Sequence, residues 1–116
     1  MDHTNDTLTT TSDEVANVVS QLPQNIRTLV IKFPEEWCEE SEKSTALDDL
    51  QKHYTNVVSD LIQQYPQLRQ LECIRVTSTL YDRDDPRGPA SAIPYCQTDI
   101  DLALNVSELV THSFQP

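Results

Sequence analysis

The chain has 116 residues, enough for one domain with a modest core, and its hydrophobic fraction of 37% leaves some segments too polar to pack. With 19 acidic and 8 basic side chains its formal charge is −11, which repels nucleic-acid phosphates and anionic membrane surfaces; a charged partner would be basic, while keeping the chain soluble accounts for the charge more simply. The only glycine is Gly88, so neither a P-loop nor a Rossmann phosphate loop can be written.

Residues 1–11 are rich in Thr, Asp and Asn, carry one large apolar residue, Leu8, and read as a disordered polar tail; residues 12–113 read as a single small α/β domain or repeat fragment. No apolar stretch suits a signal peptide or a membrane span. Cys38, Cys73 and Cys96 are odd in number and widely spaced, unlike a secreted disulfide framework. Two glycosylation sequons, at Asn5 and Asn105, carry little weight without a secretion signal. The expected location is intracellular, cytoplasmic or nuclear.

Thr11 with Glu14 three positions on fits a capping box. Val15, Val18, Val19 and Leu22 then line one face of a short helix that Pro23 ends. Residues 26–33 are apolar and β-branched and predict a strand. The next stretch, 34–43, is dense in glutamate and reads as a solvated loop or an exposed first turn. Ser44 or Thr45 can cap a long helix over 46–64, whose stripe of Leu47, Leu50, Tyr54, Val57, Val58, Leu61, Ile62 and Tyr65 is the strongest periodic signal in the chain. That stripe could seat a partner helix; packing against a sheet accounts for it more simply.

Residues 68–77 predict a second strand, buried on both faces and parallel to the first through a right-handed crossover. Residues 78–98 read as a long irregular loop. Ile100, Leu102, Leu104 and Val106 alternate with polar residues as a third strand, followed by a terminal turn or short helix. The expected fold is α/β, a short parallel sheet of about three strands with crossover helices.

Two segments match each other. Leu22-Pro23 precedes Ile26-Arg27-x-Leu29-x-Ile31, and Tyr65-Pro66 precedes Leu68-Arg69-x-Leu71-x-Cys73; Ile93-Pro94 with the third strand is a poorer echo. On these residues the chain resembles the irregular leucine-rich-repeat region of fungal F-box-type proteins, over roughly residues 20–77. The resemblance implies a recognition portion without the adaptor-binding F-box, because a strand-like run, Leu29-Val30-Ile31, stands where F-box helices would follow.

No residues are assigned to catalysis, a cofactor or a metal. Cys38, His53 and Asp49 could supply a nucleophile, base and orienter, but no local signature accompanies them. Asp82, Asp84 and Asp85, or Asp99 with Asp101, lack the glycine and terminal glutamate of a calcium loop, and no two cysteines are spaced for zinc. Trp37 in its acidic surroundings is either a partner-facing anchor or, the favoured reading, a lid over the core edge. The expected function is a non-catalytic protein-interaction module, with Trp37, Glu36, Glu39, Asp82, Asp84 and Asp85 as candidate contacts. The alternatives are a small hydrolase or transferase with a loop-built site and a truncated product without selected function.

Overall fold

A computed structural model describes residues 6–83 and 96–113. The chain is α/β, a five-stranded mixed sheet with three α-helices.

The first strand, β1 (Thr7–Thr11), falls where a disordered tail is expected. Four of its five residues are threonine, whose β-branched side chains suit a pleated surface despite their polarity. It pairs in parallel with β2 (Thr28–Lys32), Leu8 beside Leu29 and Thr10 beside Ile31. Between them lies α1 (Val15–Ser20), which buries Val15 and Val19. The expected capping box does not form: Thr11 ends β1, and its carbonyl accepts the Glu14 N–H at 3.1 Å in a turn.

Beyond β2 the acidic stretch is not simply a loop. Pro34 cannot donate to a ladder, and the last bond before it runs from Phe33 N to the Thr77 carbonyl at 2.8 Å. The chain then rejoins the same neighbour as β3 (Glu36–Glu39). That neighbour is β4 (Cys73–Arg83), where Lys32 faces Thr77 and Glu36 faces Leu80. One extra residue on the proline side makes this a bulge. Ser78 closes it, its hydroxyl donating to the Pro34 carbonyl at 2.9 Å.

The long helix, α2 (Lys43–Gln64), follows a 3₁₀ turn at Glu40–Glu42. It begins ahead of Ser44 and Thr45, neither of which caps it, and it buries Tyr54, Val58 and Ile62 along one stripe. The stripe is core, with the Tyr54 ring 4.6 Å from that of Phe33. After Pro66 a second 3₁₀ turn, Pro66–Gln70, buries Leu68 and delivers the chain into β4. β5 (Cys96–Asn105) runs antiparallel to β4 over its whole length, not parallel as the sequence suggests. Alternation of period two serves either direction equally, so the apolar pattern at residues 100–106 does not set it. The Asn105 side chain then accepts the Glu108 N–H at 3.1 Å and caps α3 (Val106–Ser113).

The strands thus lie in the order β1, β2 with β3, β4, β5. Leu29, Ile31, Ile74, Val76, Leu80 and Ile100 share one face and form a single core with the buried residues of the helices. The other face bears Thr9, Val30, Lys32, Arg75, Thr77 and Asp101, all exposed or half-buried. The expectation that β4 is buried on both faces therefore fails: its polar parity meets water. Two consecutive βα units step the same way across the sheet on the same side, so they share one hand.

The one-sided burial sets a test. Ile74→Ala is expected to cost about 2–5 kcal/mol in urea unfolding. Val30→Thr, one strand over on the uncovered face, is expected to cost less than about 1 kcal/mol. Similar losses at both positions would mean that the second face is also covered.

Candidate functional site

The bulge at Pro34 sets the facing of the four residues after it. Trp37 lies beside Tyr81 and Glu39 beside Arg83, which puts Trp37 and Glu39 on the uncovered face. Glu36 and Cys38 face the helix side, next to Leu80 and Asp82. The expected contact set is therefore split across the sheet.

On the uncovered face, the Trp37 and Tyr81 rings stack at 4.7 Å with an interplanar angle of 26°. Tyr81 donates its hydroxyl proton to Glu35 Oε2 at 3.3 Å. Trp37 is 47% exposed, and among the described residues it is the exposed large hydrophobic side chain. It does not cover the core edge, so the lid reading is corrected: the indole lies over Tyr81, on the side away from the core. Towards β5 the face continues as a shallow depression floored by Thr77 and Thr79, with Lys32 and Glu35 on one side and Asp99 and Asp101 on the other. Arg75 clamps Asp101 with two N–H groups, Nε to Oδ1 at 3.1 Å, and Asp99 accepts the Gln97 amide at 3.1 Å.

The helix side is different in character. Asp82 is 3% exposed, so it is not a surface contact. Its Oδ1 has no hydrogen bond but lies 3.6 Å from Lys43 Nζ, at the first turn of α2. A buried carboxylate without a countercharge would cost several kcal/mol, so Lys43 balances it. Cys38, half-buried beside this pair, has its thiol pushed up from the ordinary cysteine range by burial first, then by the Asp82 and Glu42 charges, with Lys43 opposing. Nearby, the Tyr54 hydroxyl is pushed up by burial, with Glu36 adding and Ser78 opposing. It approaches Ser78 without a hydrogen bond of good geometry.

Cys38 and Asp82 are thus neighbours, but His53 is not joined to them. It is exposed on α2, its ring 5.7 Å from Tyr54, with no hydrogen bond or ion pair to either. Asp49 is exposed. Asp84 and Asp85 lie outside the described residues. Among the described residues no group of three or more His, Cys, Asp or Glu side chains is placed to hold a metal ion, and no helix is long and apolar enough to cross a membrane. Sequence reasoning missed Tyr81, which it placed in an irregular loop, and Glu35 as its partner. The signal available was the alternation of Thr77, Thr79 and Tyr81, which extends the strand beyond its expected end.

No family model, curated protein or solved structure matches this chain.

Burial, aided by the Asp82 and Glu42 charges, makes the Cys38 thiolate hard to form, whereas Cys96 is exposed at the start of β5. Because only the thiolate attacks, iodoacetamide at neutral pH is expected to label Cys96 well before Cys38. The Cys38 rate should keep rising with pH above the range where an ordinary thiol has already ionised. Peptide mapping by mass spectrometry reads both; faster labelling at Cys38 would contradict the buried acidic setting.

Proposed function

We propose that the chain is a non-catalytic protein-interaction module that presents the uncovered sheet face and its flanking edge to another protein. One observation carries this reading. Among the described residues the sheet is covered by helices on one side only, and the uncovered side holds an aromatic stack with its indole nearly half exposed beside Glu35 and Glu39. Tryptophan and tyrosine are the side chains that most often anchor a protein interface.

A basic partner suits this surface, because the whole chain carries −11 and the aromatic stack lies among carboxylates. The absence of any link from His53 to Cys38, and a thiol pushed up instead of down, support a binding role over thiol catalysis. Three unpaired cysteines support a reducing compartment, cytoplasmic or nuclear. The leucine-rich-repeat likeness is supported by layering alone, parallel βα units with helices on one side. The repeat match sets Leu29 against Leu71, whereas in the sheet Leu29 pairs with Ile74, three positions further on.

The test is affinity capture from cell extract with the immobilised full chain beside the double variant Trp37→Ser with Tyr81→Ser, each verified as folded by circular dichroism. At least one protein is expected to be recovered roughly tenfold better by the unaltered chain, the loss that follows removal of an interface anchor. Equal recovery of every protein by the two chains would contradict the proposal.

A further inference from the structure

β5 is the long edge of the sheet. Its ten residues pair with β4 throughout, and among the described residues no strand pairs with its other side. At about 3.4 Å per residue this edge exposes roughly 30 Å of backbone. The opposite edge, β1, has five residues. Sheets commonly protect an edge by shortening it, interrupting it with proline or charging it. β5 is long and holds no proline, so charge is the protection it has, as Asp99 and Asp101 on the uncovered face.

The two sides of this edge differ. Asp99 and Asp101 flank the uncovered face, while Ile100, Leu102 and Leu104 alternate on the helix side. Ile100 is buried, and Leu102 and Leu104 are packed against the core without being closed over. Beside Leu102 a groove runs along α2, lined by Gln51, Thr55, Asn56 and the ion pair of Lys52 with Asp48 at 3.3 Å.

A second copy is a poor occupant. In an antiparallel pairing centred on Ile100, Asp99 of each chain would face Asp101 of the other, and like charges directly opposite destabilise a sheet. Two chains of −11 also repel at longer range. A basic strand reverses both signs. Arg75 already shows the pairing on the inner side, where it reaches from β4 to Asp101. Among the described residues Asp99 is held only by Gln97 of its own strand.

We propose that the β5 edge accepts an extended segment of a partner protein as an added strand, with Lys or Arg at alternate positions against Asp99 and Asp101 and apolar residues between them against Ile100 and Leu102. This rests on the interaction-module reading and names one of its docking sites. Main-chain hydrogen bonds supply affinity in such a mode, and the alternate side chains supply specificity.

The test uses the full chain and a fluorescent peptide of alternating lysine and valine, six residues long, read by anisotropy at physiological salt. Three further arms accompany it: the same peptide N-methylated at alternate residues, a glutamate–valine peptide, and the variants Asp99→Lys and, as an equal charge change on exposed α2, Asp60→Lys. N-methylation and Asp99→Lys are each expected to weaken binding about tenfold or more, Asp60→Lys less than about twofold, and the glutamate peptide should not bind. Equal binding of the N-methylated peptide would show charge attraction without an added strand and overturn the proposal. So would failure of the lysine peptide to bind, or a concentration-dependent dimer that protects the β5 amides. None of these outcomes bears on capture through Trp37 and Tyr81, so the two readings fail separately.

Discussion

β2 and β4 lie side by side with Leu29 against Ile74 and Ile31 against Val76, and all four side chains are fully buried. The other elements are arranged around this strip. α2 contributes Tyr54, Val58 and Ile62 to the same core, α1 contributes Val15 and Val19, and α3 contributes Val106. Every helix buries its apolar stripe on that side, and among the described residues nothing covers the other side of the sheet. Threonine, lysine, arginine and aspartate there are what a water-facing sheet surface requires.

The Pro34 bulge turns that general surface into a particular one. Without the extra residue, Trp37 would fall on the opposite parity and point at the helices. With it, the indole lies on Tyr81 and Cys38 turns inward to Asp82. The same few residues therefore separate an aromatic, exposed surface from a buried, charged one. The polar contacts on the two sides differ in weight. Arg27–Glu72 and Arg75–Asp101 are exposed ion pairs, of which little stability is expected. Lys43–Asp82 holds the first turn of α2 against the end of β4, and loss of the lysine would leave a buried charge alone.

Where burial follows local periodicity, the sequence was readable. The α2 stripe locates its helix to within three residues at the start and to the residue at its end, and the valines of α1 and the apolar run of β2 lie in the helix and strand that their spacing predicts. Elsewhere composition hid the backbone. β1 is almost all threonine, and β3 is half glutamate, so both looked like loop although each only extends an existing ladder. The direction of β5 was not local information at all, since identical alternation serves parallel and antiparallel strands. The candidate site divided in the same way. Trp37 stands out in the sequence, but its facing depends on a bulge, and Asp82 reads as surface because a charge gives no hint of a lysine supplied by an earlier helix.

Amide hydrogen exchange of the free chain, resolved by residue in solution NMR, tests the one-sided, open-edged sheet most directly. Amides of β5 that bond to β4 should exchange slowly and those between them fast, so that protection alternates along Cys96–Asn105, while Ile74 and Val76 at the sheet centre are protected without a break. Uniform slow exchange along β5 would contradict it, because the edge would then already be paired.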